Sequence, residues 1–381
     1  MKRKVAIIDT LGAHGGSFHF YTFGQCIGLS NAGVQLSLYA NNETENPHIK
    51  GVNFYSFYNN LFSSKYKWIS GLRWVVGTLK SVLHARLQGT SVFHFHIFYT
   101  NILILFNLFL VKLLFGKVVL TVHDVTSFAD ENESTIISKF IYNLTDIVLT
   151  HNAFSKNEII KVTSISSSNI YIIPHGNYTP FISVQNDKNN SKEKLNLPKD
   201  KTILLFFGMI KKVKGLEILL EAFKKVVDTN SDIVLLIAGK SWENDFAEYQ
   251  KIIDRNNLSK HIILHTKFIP HEDVEHYYCA SDLVVLPYKK IYQSGVLMMT
   301  LSYERPAIVS NLPPLMEVIS DNENGFLFET ENSNDLSDKL IEILADKKNL
   351  EIVRKKGTEL INTKYGWDEI GRLTKSAYET L

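Results

Sequence analysis

The sequence predicts an α/β protein built from two doubly wound parallel sheets. Three observations carry that expectation. Short apolar runs rich in β-branched residues recur along the chain, separated by stretches long enough for a helix, which is the pattern of βα units in a parallel sheet. The recurrence breaks over residues 178–200, where the chain turns polar and rich in lysine and asparagine (SVQNDKNNSKEK), as an interdomain linker does. A chain of 381 residues is also long for a single core and suits two. The expected boundaries are residues 1–177 for the first domain, 178–200 for the linker and 201–364 for the second.

The first strand is Val5–Asp9, followed by the glycine-rich turn LGAHGGS and an aromatic helix through Ala32, which Gly33 closes before a strand at Val34–Tyr39. This βαβ opening lacks the G-x-G-x-x-G spacing of a dinucleotide fingerprint, and no acidic residue stands at the tip of its second strand, so a nicotinamide cofactor is disfavoured. Further strands are expected at Ser91–Phe95, Val118–Val122, Ile147–Thr150 and Ile170–Ile173. The first three end alike: His94 and His96, then His123 and Asp124, then His151 and Asn152. Ligands in open α/β sheets gather at the carboxyl ends of strands, so this repetition points to a histidine-lined crevice, against the alternative that each histidine is structural.

In the second half the strands are expected at Ile203–Phe207, Ile233–Ala238, Ile262–His265, Leu283–Leu286 and Ala307–Val309. Gly208 ends the first of them and is followed by Lys211, Lys212 and Lys214 before the amphipathic helix from Leu216 to Val227. Glycine at a strand end with lysines at a helix start can seat a diphosphate, although the Walker spacing is absent. Gly239-Lys240-Ser241 is a similar turn. After the strand at Leu283–Leu286, Gln293-Ser294-Gly295 opens a helix from Val296 to about Tyr303, with Ser294 as N-cap, and a helix start presents unpaired N–H groups to an anion. The alternative is purely structural, since any α/β protein repeats this unit.

Composition narrows the classes. A chain that is 45% hydrophobic and 21% charged, with a formal net charge of +2, is that of a globular protein and gives no footing for nucleic acid. Cys26 and Cys279 match no metal or disulfide spacing, which fits a reducing, cytoplasmic compartment. No Asp-x-Asp pair and no histidine–carboxylate cluster at ligand spacing occurs, so no metal is expected. Ile102–Phe115 (ILILFNLFLVKLLF) is too short to span a bilayer and contains Asn107 and Lys112. Together with the aromatic and basic stretch from Tyr66 to Arg86 it offers a face for peripheral attachment to a membrane, or else packs on its own sheet.

The order of FFGMIKKVKGLEILLEAF, LLIAGK, ASDLVVLPY, QSGVLMMTLSYERPAIVSNLPPLMEVI and NGFLF resembles the second domain of the family 4 glycosyltransferases. VVLTVHD, LTHNAFSKNEI and IIPHGN resemble the same family in the first half. The likeness covers nearly the whole chain. It implies the GT-B fold, two Rossmann-like doubly wound domains facing across a cleft, with a UDP- or GDP-sugar donor on the second and a glycan or lipid-linked acceptor on the first. YGWDEIGRLTKSAYETL, residues 365–381, is similar to the family's last helix, which returns to the first domain. By the same resemblance Lys214 matches the lysine that contacts the donor diphosphate, and Lys211 stands in for a basic residue whose usual site is Met209. His123 matches the histidine near the donor sugar, Gly15 and Gly16 the first-domain loop near the phosphates, and Glu317 a glutamate that follows a later loop. His123, His94 and Asp124 are the candidates by location for taking the acceptor's proton. Gly208, Gly239, Gln293, Ser294 and Gly295 complete the expected donor site.

The chain departs from the family at Ile291 and Met299, where two glutamates eight positions apart are usual. Gln293-Ser294-Gly295 resembles the variant turn of a subgroup that pairs it with a shifted basic residue. The expectation is therefore a divergent hexosyltransferase of cell-surface polysaccharide synthesis. The alternative is a non-catalytic nucleotide-sugar-binding or scaffolding protein of the same pathway.

Overall fold

The structure is a computed structural model that describes residues 3–14, 16, 18–125, 135–182, 186–242 and 246–381. Its internal contacts divide the chain into two units, Met1–Gly176 with Tyr365–Leu381, and Asn177–Lys364.

Unit 1 begins with β1 (Lys4–Asp9), α1 (Phe18–Asn31), β2 (Gln35–Asn41), β3 (Val52–Tyr58) and α2 (Lys67–Leu87). It continues with β4 (Val92–Ile97), α3 (Ile102–Leu113), β5 (Lys117–Val122), α4 (Thr135–Leu144), β6 (Ile147–Thr150), α5 (Ala153–Val162) and β7 (Ile170–Ile172). The strands pair in parallel in the order β3-β2-β1-β4-β5-β6-β7. Strands such as IVLT of β6 are buried at every residue, as a parallel sheet covered on both faces requires. The sequence pattern does not reveal β3, VNFYSFY. It lies at the sheet edge, Tyr58 is its one buried residue, and its apolar positions are aromatic ones interrupted by Asn53 and Ser56.

Unit 2 carries α6 (Lys188–Lys194), β8 (Thr202–Phe207), α7 (Leu216–Thr229), β9 (Ile233–Ala238), α8 (Ala247–Arg255), β10 (Ile262–His265), α9 (His271–Ala280) and β11 (Leu283–Leu286). Then come α10 (Gly295–Ser302), β12 (Ala307–Ser310), α11 (Pro313–Met316), β13 (Phe326–Phe328), α12 (Ser333–Ala345) and α13 (Lys347–Thr363). Its parallel sheet runs β10-β9-β8-β11-β12-β13. Leu216, Leu219, Leu220, Phe223 and Val226 of α7 are buried, one stripe at helical spacing, and each such side chain contributes roughly 1.5–3 kcal/mol by leaving water.

Residues 186–200, expected to be linker, instead fold onto unit 2. Asp187 caps α6 by accepting from the Asn190 N–H at 2.8 Å. The ammonium of buried Lys192 donates to the carbonyls of Lys199 and Lys201 at 3.1 and 2.6 Å. Polar composition misleads there because these side chains satisfy backbone groups rather than solvent.

The last helix, α14 (Trp367–Glu379), belongs to unit 1. It lies backbone to backbone on α1: a Cβ added to Gly371 would sit 2.0 Å from the Gly28 carbonyl oxygen, and one added to Gly28 would sit 2.0 Å from the Trp367 carbonyl oxygen. Only glycine permits that approach. Arg3 donates to the Tyr378 carbonyl at 2.8 Å, Lys375 to the Ala32 carbonyl at 2.9 Å and Asn31 Nδ2 to the Asp368 carboxylate at 2.7 Å, so both ends of α14 are also tied down.

Candidate functional site

In unit 2 the winding reverses between β8 and β11, and a crevice opens outside the carboxyl ends of strands where the winding reverses. Two turns border it. The one after β8 starts at Gly208, whose φ is 106°, and is tied to the turn after β9. Ile210 N–H donates to the Lys240 carbonyl at 3.0 Å and Trp242 N–H to the Ile210 carbonyl at 2.9 Å. Gly239 (φ 138°) lies against it, a Cβ there falling 2.0 Å from the Gly208 carbonyl oxygen. This lacing sets the lysines. The Lys211 ammonium lies 4.0 Å from the centre of the Trp242 ring and the Lys214 ammonium 3.7 Å from that of Tyr288. A cation over an aromatic face keeps its charge while losing part of its water and its freedom.

Gly215 joins the two turns. It adopts φ 64°, and a Cβ there would lie 1.9 Å from the Pro287 carbonyl oxygen, so the β8 turn presses directly on the turn after β11. Lys289 N–H donates to the Val213 carbonyl at 2.9 Å, and its ammonium pairs with Glu217 at 2.6 Å. Ser294 caps α10, its hydroxyl accepting from Leu297 N–H at 3.1 Å. Gly295 is the first residue of that helix. Next to it the Gln293 Oε1 is buried and has no hydrogen-bond partner among the described residues, leaving an acceptor that a ligand donor can fill. Met299 is buried on α10, Ile291 is half-buried, and neither can ionise. Glu317 ends α11 and is exposed. Lys212 is also exposed, its side chain 82% accessible, with Glu248 at 3.9 Å.

In unit 1 the histidines form a ladder across the carboxyl edge of four adjacent strands. Ring centres are 5.0 Å apart from His94 to His96, 5.4 Å from His96 to His123, 4.8 Å from His123 to His151 and 5.4 Å from His151 to His175. Beyond the first step, which stays within β4, this is close to the roughly 4.8 Å spacing of neighbouring strands, so the sheet itself places the rings. Tyr21 of α1 packs on four of them, its ring 4.8–5.5 Å from those of His96, His123, His151 and His175. Burial depresses all five pKa values: to about 3 for His94 and His175, to about 4 for His151, and well below the ordinary range for His96 and His123, which the neighbouring rings depress further. All five are neutral near pH 7.

His94 and His123, two of the candidate proton acceptors, each have both ring nitrogens engaged within unit 1. His94 is buried with Nδ1 at 2.6 Å from the Tyr378 hydroxyl and Nε2 at 2.7 Å from the Thr121 hydroxyl. His123 is 1% exposed and bonds His96 and His151 through its two nitrogens. Asp124 follows at the sheet edge, half-buried. Gly16 is exposed, with nothing within 4 Å of an added Cβ, and Gly15 lies outside the described residues. His96 is the residue that sequence reasoning underrated: its Nε2 is buried and has no hydrogen-bond partner among the described residues, a difference from His94 that depends on which neighbours each ring meets.

With this geometry in view, the comparisons with known proteins become informative. Residues 187–360, which lie within unit 2, match the family of glycosyl transferases, group 1. The chain is 26% identical over 211 residues to the lipopolysaccharide 1,2-N-acetylglucosaminetransferase of Salmonella typhimurium, covering 53% of this chain and 54% of that one. It is 24% identical over 240 residues to the capsular polysaccharide biosynthesis glycosyltransferase CapM of Staphylococcus aureus, covering 62% of each. The match spans 49–59% of the first three curated relatives, about half their length. Among solved structures, Anabaena HepE in complex with UDP superposes with a TM-score of 0.76 at 15% identity, over 99% of this chain and 100% of that one. Sucrose-phosphate synthase from Thermosynechococcus elongatus gives 0.76 at 18%, over 99% and 98%. These likenesses show the fold: two parallel-sheet α/β units of the GT-B class.

Proposed function

We propose that this protein transfers a hexosyl-type sugar from a UDP- or GDP-sugar to a glycan or lipid-linked glycan in the synthesis of a cell-surface polysaccharide. The observation that carries the reading is the pair of ring-held ammonium groups, Lys211 and Lys214, on a turn that borders the crevice of a group 1 glycosyl transferase unit. A departing nucleoside diphosphate develops negative charge, and fixed cations with a nearby helix start stabilise it without reorganising at the moment of reaction. Met209, 43% exposed, brings no charge, which leaves that role to Lys211. Gly208, Gly239, Gln293, Ser294 and Gly295 shape the donor seat, with the Gln293 Oε1 accepting from the donor. Glu317 is assigned to the donor by resemblance alone. No metal is needed in this account. The test is a melting-temperature panel of nucleotides and nucleotide sugars on the full chain, repeated with Lys214→Ala: one nucleotide class should raise the melting point, and the variant should lose that rise.

A second reading, a non-catalytic nucleotide-sugar-binding protein, draws on Ile291 and Met299, whose side chains cannot act as acids or bases. Binding of a donor without release of its nucleotide, acceptors included, would select it.

The relatives' polysaccharide pathways and the surface of unit 1 together support membrane attachment on the cytoplasmic side. Trp68, Leu72, Val76, Leu83 and Leu87 on α2, Ile102, Phe109 and Leu113 on α3, Phe115 just beyond it, and Ile136 and Phe140 on α4 are all exposed. Lys67, Lys80 and Lys112 are interspersed among them. Among the described residues no helix is long and apolar enough to cross a membrane. An apolar stripe flanked by cations suits the interface of an anionic bilayer.

A further inference from the structure

The Lys214 ammonium rests 3.7 Å from the centre of the Tyr288 ring, at the end of a flexible stem that does not set such a position by itself. The ring is brought to it by the residues on either side. Tyr288 is 1% exposed and follows Pro287, whose carbonyl oxygen would lie 1.9 Å from a Cβ on Gly215. It precedes Lys289, whose N–H donates to the Val213 carbonyl at 2.9 Å. The neighbours of Tyr288 therefore meet the neighbours of Lys214, one on each side. A third contact closes the bracket: the Lys289 ammonium donates to Glu217 Oε1 at 2.6 Å, tying the turn after β11 to the helix that Lys214 leads into.

The same ion pair answers a problem of charge. Glu217 stands in the first turn of α7, where the helix dipole favours a carboxylate. It is also three residues past Lys214, where a bound diphosphate would meet a negative neighbour. Its Oε2 is buried and has no hydrogen-bond partner among the described residues, so there its compensation comes through Oε1 and Lys289. The Lys289 and Glu217 side chains are 29% and 32% exposed, and a pair this far withdrawn from solvent is screened less than one on open surface.

We propose that Glu217 and Lys289 are positioning residues of the donor site: their ion pair holds the Tyr288 ring against the Lys214 ammonium and keeps the Glu217 charge from opposing a nucleoside diphosphate. The role rests on the reading of this turn as the diphosphate seat, and both residues act through Lys214 rather than on the donor. Loss of either partner opens the clasp, but the charge left behind has opposite sign. Without Lys289 a bare carboxylate repels the diphosphate. Without Glu217 an extra ammonium still attracts it, while Lys214 is no longer held in register with the departing oxygen.

The experiment follows the ε-methylene protons of Lys214 in the full-length protein labelled with ¹³C-lysine, a resonance identified by its absence from Lys214→Arg. Ring currents should displace Lys214 over Tyr288 and Lys211 over Trp242 upfield of the other lysines, and Lys211 serves as internal control. Lys289→Met and Glu217→Gln should return Lys214 toward the others and leave Lys211 in place. Glu217→Asp, a mild change that keeps the charge on an arm one methylene shorter, should return it part of the way. A Lys214 resonance unmoved in both Glu217→Asp and Lys289→Met, each checked by melting temperature, overturns the proposal. The melting-point rise with UDP or GDP then separates positioning from folding. Lys289→Met should lose most of that rise. Glu217→Gln should keep it, while its turnover, read as nucleoside diphosphate release, falls roughly ten- to a hundredfold, since a displacement of about 1 Å at a reacting centre can cost on the order of a hundredfold. Equal loss of the rise in both variants would make the pair merely structural and overturn the proposal. The lysine resonances need no nucleotide. If they respond as expected but neither UDP nor GDP raises the parent's melting point, the donor reading fails and takes the positioning role with it. If a nucleotide binds and the resonances do not respond, the clasp fails and the donor reading stands.

Discussion

Mild acid should unfold unit 1, and the size of the effect follows from the ladder. His94, His96, His123, His151 and His175 are neutral in the fold, with pKa values pushed below the ordinary imidazole range mainly by burial. In the unfolded chain each returns to about 6.5. A folded pKa below the unfolded one means that stability is intact above about pH 6.5 and drains away as the pH falls from there toward the folded values. At pH 5.5 each group favours the unfolded chain by about 1.4 kcal/mol, so the five together remove about 7 kcal/mol, against a typical total of roughly 5–15 kcal/mol. Asp9 acts in the opposite sense: burial raises its pKa, so it gains stability on acidification and offsets at most about one proton. The assay is urea unfolding at pH 7.5, 6.5 and 5.5, followed by tryptophan fluorescence, to which Trp68, Trp74 and Trp367 of unit 1 contribute with Trp242 of unit 2. The expected slope near pH 5.5 corresponds to uptake of roughly four protons on unfolding. A stability that changes by less than about 1 kcal/mol between pH 7.5 and 5.5 would show that the five rings are protonated or solvated in the fold.

Three other predictions use different readouts. Sugar transfer should continue in excess EDTA, and activity that EDTA abolishes and magnesium restores would refute the metal-free account of the diphosphate site. The protein should float with anionic liposomes at low salt, and Trp68→Ser with Leu72→Ser, at positions 70% and 58% exposed, should reduce flotation several-fold; a parent that stays at the bottom would make the stripe ordinary surface. Gly371→Ala should destabilise unit 1 by about 1–3 kcal/mol, the usual cost of overpacking, because its Cβ would fall 2.0 Å from the Gly28 carbonyl oxygen; an unchanged melting curve would mean that α1 and α14 do not cross so closely.

Much of the fold was legible because a parallel sheet covered on both faces writes itself as near-continuous apolar runs. The runs at Val118–Val122, Ile233–Ala238 and Leu283–Leu286 correspond to β5, β9 and β11 with little or no shift. Ser294 was legible as an N-cap because a serine before an apolar helical run has a local role that needs no tertiary contact. The edge strand β3 escaped because an edge faces solvent and loses the apolar run. α6 escaped because capping lysines and solvated lysines look alike in sequence. The turn after β8 was legible as glycine followed by lysines, but not which lysine meets which ring: Lys211 over Trp242 and Lys214 over Tyr288 depend on how that turn lies against its neighbours. The same limit applies to the ladder. Histidines at strand ends are visible in one dimension, yet the difference between His94, bonded at both nitrogens, and His96, open at one, is set by strand order, by α14 and by a carbonyl at Ile173.

The central claim is that the unit 2 turn holds the diphosphate of a sugar donor during transfer. The most direct measurement is release of nucleoside diphosphate from a panel of UDP- and GDP-sugars with glycan acceptors, for the parent and for Lys214→Ala, Lys211→Ala and Lys212→Ala, each checked for folding. The account predicts release from one donor class. It predicts a loss of roughly a hundredfold or more for Lys214→Ala, as for removal of one preorganised donor to a developing anion, a smaller loss for Lys211→Ala, and none for Lys212→Ala, whose side chain is 82% exposed. A Lys214→Ala enzyme as fast as the parent would contradict it.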